Sequence, residues 1–201
     1  MKRESPNKYL MPADSELWIL KFLREQIMQC LTDSEIATWL ADHNTWWADH
    51  NGTSVPCRKS KSPSHSLQFA CPNRPLETAA FIRNFLNLLS SEILIQVTDW
   101  PLYEPSEMLV IEALRNLHGE SRNLIDAPGH LIPASEKEIA IALLGHTVNF
   151  QWNARLYVPE DFATLQNWEG ELMDFWSNDS TFYSQVVKLV NLHQLDQNKL
   201  G

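Results

Sequence analysis

The stretch Gln151 to Trp176, QWNARLYVPEDFATLQNWEGELMDFW, constrains the fold of this chain more than any other. Trp152, Ala154, Leu156 and Val158 alternate with Asn153, Arg155 and Tyr157. That period of two marks a half-buried strand. Pro159-Glu160-Asp161 then supplies turn chemistry, because proline fixes φ and removes a ladder donor. Ala163 to Trp168 alternates again, and Glu169-Gly170 is a second turn signal, since glycine reaches φ > 0 without steric cost. Glu171 to Trp176 reads as a third strand or as the first turn of a helix, with the strand favoured.

The same stretch is acidic. Glu160, Asp161, Glu169, Glu171, Asp174 and Asp179 meet no lysine or arginine between Tyr157 and Val187. One reading is a solvated acidic edge that discourages sheet-to-sheet aggregation. The functional reading is a docking face for a basic protein partner, with Trp168, Glu169, Glu171 and Asp174 as binding residues and Phe162, Phe175 or Trp176 as further anchors. Because unpaired carboxylates resist burial, Glu169, Glu171 and Asp174 are expected on one exposed surface beside a partly accessible aromatic.

The rest of the chain reads as an α+β protein: a small mixed or antiparallel sheet covered by helices and preceded by an N-terminal helical hairpin. After a loose tail, Leu20, Leu23, Ile27 and Leu31 form an apolar helical stripe. Thr32-Asp33-Ser34-Glu35 is a capping-box pattern opening a second helix whose stripe runs Ile36, Trp39, Leu40, His43, Trp47. Asn51 to Ser66, rich in Ser, Pro, Lys and Arg, reads as a linker. It divides a tail and helical pair (1–61) from the main domain (62–201). There, Leu67 to Ala70 reads as a short strand and Pro75 opens a helix to Leu89. Glu92 to Thr98, EILIQVT, is the best buried strand. Pro105 to Leu117 is a helix with Gly119 past its end, and a short strand is expected at Asn123 to Ile125. Ser135-Glu136-Lys137-Glu138 is a second capping box, opening a helix to Val148. A last helix spans Ser180 to His193.

Charge and cysteine usage narrow the function. The net charge is −9, and residues 62–201 hold all of it, with eight bases against seventeen acids. Such a surface repels phosphate backbones and anionic lipid, so neither nucleic acid nor membrane is an expected partner. No apolar run approaches the ~18 residues of a membrane span, and the charged N-terminus lacks the apolar centre of a secretory signal. Three cysteines, Cys30, Cys57 and Cys71, suit a reducing cytoplasm. They lack the close ligand pairs of structural zinc, so thiols without metal are expected. Ala41-Asp42-His43-Asn44 recurs as Ala48-Asp49-His50-Asn51, but a seven-residue helical offset separates the two histidines by ~10.5 Å, too far to share a metal.

The segment Leu124 to His130, LIDAPGH, resembles the Asp-x-Pro-Gly-His segment of translational GTPases. The resemblance covers seven residues. The phosphate cradle G-x-x-x-x-G-K-[ST] is absent, and so is the nucleotide reading. The surrounding loop matters in its own right, because His118 to Arg122 and Asp126 to His130, with Glu120, Arg122, Asp126 and His130 among them, lie within thirteen residues on a connection. They read either as a charge-paired cluster that pins the loop or as a ligand site. Arg122 is expected to pair with Glu120, Asp126 or a nearby carbonyl. No cofactor motif, nucleophile elbow or metal box appears, and no catalytic residue is assigned. The favoured function is a small acidic cytoplasmic protein-binding module, such as an immunity- or antitoxin-type protein engaging a basic partner. The alternative is an enzyme, a hydrolase with its site in the 118–130 loop.

Overall fold

Three strands carry the expected meander. Asn153–Val158 (β7) pairs antiparallel with Ala163–Trp168 (β8), which pairs antiparallel with Leu172–Ser177 (β9). The β8–β9 turn is tight, with Glu169 and Gly170 both in the left-handed region at φ 49° and 70°. Gly170 is required for a second reason: a Cβ there would lie 2.2 Å from the carbonyl oxygen of Val148. The computed structural model describes residues 27–43, 45–50, 53–58, 63–99, 105–159 and 163–198.

Around the meander the sheet grows, among the described residues, to eight antiparallel strands. It is large rather than small. Gln29–Leu31 (β1), His65–Ala70 (β4), Ile93–Asp99 (β5), Gly129–Ile132 (β6) and the two-residue Gln197–Asn198 (β10) complete it, in the order β1-β6-β5-β7-β8-β9-β4-β10. Thr45–His50 (β2) and Thr53–Arg58 (β3) form a separate two-stranded ribbon, and the β3 backbone approaches β8. Among the described residues five helices accompany the strands: Asp33–Asp42 (α1), Pro75–Leu86 (α2), Pro105–Leu117 (α3), Lys137–Asn149 (α4) and Ser180–Leu192 (α5).

Pleating sorts the side chains. Ile93, Ile95 and Val97 of β5, Leu156 and Val158 of β7, Leu165 of β8 and Phe175 of β9 enter the main core. There they meet Phe81 and Phe85 of α2, Leu143 and Leu144 of α4, and Phe182 and Val186 of α5. Leu94 and Tyr157, one residue out of phase, form a second cluster with Ile36 and Leu40 of α1 on the opposite face. The central strand β5 is therefore buried on both sides, which is why its sequence is apolar without strict alternation.

Several expectations need correction. The Thr32 capping box is present: its hydroxyl accepts from Glu35 N–H, and the Glu35 carboxylate accepts from Thr32 N–H at 2.8 Å. But this helix ends at Asp42, and 45–50 is a strand rather than more helix, because Thr, Trp and Trp find an antiparallel partner in 53–58. The first arm of the expected helical hairpin falls largely outside the described residues. Its described end, Gln29–Leu31, is strand β1 paired with β6. The segment read as a linker contains β3 and the start of β4. The short strand expected at Asn123 to Ile125 is a turn, and the strand lies four residues later at Gly129–Ile132. The second capping box does not form; Ala134–Glu136 is a 3-10 turn, and Glu136 instead accepts from Met28 N–H at 2.8 Å. Among the described residues no helix is long and apolar enough to cross a membrane.

Candidate functional site

Three places could carry function: the 118–130 loop, the acidic β8–β9 turn, and the outer surface of α3 and α4.

The loop is built around a residue that sequence reasoning missed. Arg115, on α3, is wholly buried. Its guanidinium donates to the carbonyls of Ala127 (2.8 Å), Arg122 (2.9 Å) and Asn123 (3.1 Å) and to His130 Nε2 (3.1 Å). Its Nε faces Glu112 Oε2 at 3.5 Å, an ion pair rather than a hydrogen bond. One cation thus ties together the loop backbone and strand β6. The signal in the sequence was a base at i+4 from Ile111, on the apolar stripe of α3.

His130 is also fully buried. Its Nε2 accepts from Arg115, so its Nδ1 carries the proton and donates to Ile95 O at 3.3 Å. Burial, and then the Arg115 charge, push its pKa down to about 3, so it is a neutral structural imidazole. Glu120 and Arg122 are bound to each other, as expected for a pinned loop. Arg122 Nη2 lies 2.6 Å from Glu120 Oε2 and its Nε 3.0 Å from Glu120 Oε1, while Nη2 also donates to Cys30 O at 2.9 Å. The hydrogen bonds from the Arg122 side chain hold the Glu120 carboxyl at about 2. Asp126 is exposed and meets Asn123 at 3.4 Å. The four candidate residues therefore do not converge: Glu120 and Arg122 border a polar cleft of about 400 Å³ with Glu35 and His118, His130 is inside, and Asp126 faces solvent.

At the acidic turn, Glu169 and Glu171 are exposed and Trp168 beside them is half-buried. Asp174 does not join them. It is buried, and it accepts from Trp168 Nε1 at 2.6 Å and Gln68 Nε2 at 2.9 Å. Hydrogen bonds, rather than water, compensate its charge. It belongs to a polar rung crossing five strands, Gln68, Asp174, Gln166, Arg155 and Gln96, each in register with the next. Phe175 and Trp176 are buried, and Phe162 lies outside the described residues.

The third place had no counterpart in the sequence reading. Helix α3 is apolar on two sides. Met108, Ile111 and Leu114 face the core, while Leu109, Val110 and Leu117 point outward at 69 %, 56 % and 82 % exposure. Between α3 and α4 runs an apolar groove of about 370 Å³, lined by Leu109, Val110, Leu114, Leu117, Leu143 and His146 among others. His146 is packed against Phe150 and Trp152, with ring centroids 4.6 and 4.9 Å away, and Trp152 Nε1 donates to Glu107 at 3.1 Å. Burial lowers the His146 pKa. At this end α4 finishes, and its Val148 carbonyl and the backbone of Gln151, just past the helix, lie beside Gly170, which Glu169 and Glu171 flank. The outward apolar residues at i, i+1 and i+8 of one helix were the available signal.

Cys30 and Cys71 are buried thiols. Burial pushes them up to about 11 and about 12. No group of three or more metal-binding side chains assembles among the described residues. The chain matches no protein-family model, no curated protein and no solved structure, so its site stands on its own chemistry.

Proposed function

We propose that the protein is a binding module that engages a basic protein partner through the α3–α4 groove together with the acidic β8–β9 turn at the C-terminal end of α4. One observation carries this reading: outward-facing Leu109, Val110 and Leu117 adjoin an open apolar groove, and α4, which forms one of its walls, ends with the Val148 carbonyl beside Gly170 in the turn bearing Glu169 and Glu171. Apolar anchors beside unneutralised charge are the ingredients of a steered protein interface. An immunity- or antitoxin-type protein that masks a basic toxin is one form of it. Glu120 and His130 do not serve the hydrolase alternative as a pair. A proton-transfer pair needs two groups within reach of one substrate atom, and Glu120 is committed to Arg122 while His130 is sealed inside.

The test begins with a partner isolated by affinity capture. Its association rate is then measured from about 50 to about 300 mM salt. The expected result is slower association at high salt, and a several-fold further loss for Glu169→Lys with Glu171→Lys, with dissociation little changed. An association rate indifferent to salt and to both charge reversals would remove the basic-partner reading.

A further inference from the structure

We infer that the α3–α4 groove seats a single amphipathic helix of the partner, apolar on the face that enters and basic on the face that stays outside; this rests on the basic-partner reading above.

Shape supports a helix. The groove is framed by two helices and offers no free strand edge, so an added strand would find no ladder to join. Leu109, Ala113 and Leu117 stand at i, i+4 and i+8, one ridge of α3. Ala142 and His146 stand at i and i+4 on α4. Ridges of this kind receive a third helix, and the two exposed alanines let its backbone approach closely.

The floor of the groove carries a second, independent sign of a ligand. His146 is 7 % exposed, and its Nε2 is buried with no hydrogen-bond partner. A buried ring nitrogen left unpaired is costly, and a helix that repacks this wall of the groove is one way to bring it a partner.

Charge decides between occupants. A second copy of this chain would bring another −9 and the same two turn glutamates to the contact. The C-terminal end of α4 adds the negative pole of its dipole beside that turn, and Glu107 stands nearby on α3. A cationic helix is complementary to all of these, whereas a second copy is repelled.

The experiment uses two labelled peptides of roughly 18 residues, long enough to hold a helix on a surface. One places leucines on a single helical face with lysines elsewhere; the other scrambles the same composition. Fluorescence anisotropy with the full chain should show the amphipathic peptide binding about 10-fold or more tighter than the scrambled one. Leu109→Ser with Leu117→Ser should erase that preference while leaving the melting temperature unchanged, because both residues are exposed. Equal binding of the two peptides, or a preference that survives the double variant, overturns the inference. So does a wild-type dimer in sedimentation that the double variant converts to monomer, which gives the face to a second copy. Binding to phosphatidylcholine vesicles in place of the peptide overturns it in favour of a membrane. A natural partner that still associates in a salt-dependent way with the double variant removes the groove assignment and leaves the basic-partner reading intact. Salt-independent association removes that reading itself.

Discussion

Arg115→Met is the substitution that most directly tests how the 118–130 loop is held. Methionine keeps most of the stem packing and deletes the guanidinium. Four hydrogen bonds disappear, to the carbonyls of Ala127, Arg122 and Asn123 and to His130 Nε2, together with the ion pair to Glu112. His130 and Ala127 are fully buried, so water cannot take over there. Each stranded acceptor costs about 1–3 kcal/mol, and the thioether returns about 1–2 kcal/mol through burial. The net loss is about 3–5 kcal/mol, in the range for breaking a buried charged network. For a chain of this length that is a melting temperature lower by roughly 10 °C. Urea unfolding followed by tryptophan fluorescence measures it. Arg115→Lys keeps the charge but cannot span acceptors arranged around a planar fork, so it should lose about half as much. Arg122→Ala, whose side chain is 42 % exposed, should cost only about 1–2 kcal/mol. A loss below about 1 kcal/mol for Arg115→Met would refute the view that this one cation organises the loop.

Four further outcomes follow from local geometry. Glu120 titrates at about 2 when folded against an ordinary 4.5; its pKa is depressed, so its contribution is complete above about pH 4.5 and fades as the pH falls towards 2. Glu120→Gln should flatten that part of the stability–pH curve, and an unchanged acid limb would contradict the pairing. Gly170→Ala should destabilise by about 2 kcal/mol or more through its positive φ and its collision with Val148 O. Gly145→Ala, in helix α4 with open space around the new methyl, should stabilise by about 0.5–1 kcal/mol; denaturation midpoints in the opposite order would invert the argument. Cys30 and Cys71 should resist a thiol reagent at neutral pH until the chain unfolds, and rapid native labelling of either would show that burial does not protect it.

Local periodicity and backbone chemistry were enough to read the meander, the Thr32 cap, strand β5 and the helices opened by Pro75 and Pro105. Those features depend on residues close together in the chain, so the sequence by itself determined them. The Glu120–Arg122 pair was legible for the same reason, since a single residue separates the opposite charges on one connection. What only the tertiary structure decided depends on partners far away in sequence. Gln29–Leu31 is a strand because β6 lies beside it a hundred residues on. Asp174 is buried although it sits in an acidic run, because Gln68 arrives from β4 to donate to it. The polar rung from Gln68 to Gln96 exists only in the register of five strands. Likewise Arg115 is an ordinary helical base until the 122–127 backbone folds its carbonyls onto it. Leu109 and Leu117 became a candidate surface only when packing assigned the other side of α3 to the core and left theirs in water. A sequence pattern states which residues share a face; the physics of which face is covered belongs to the assembled fold.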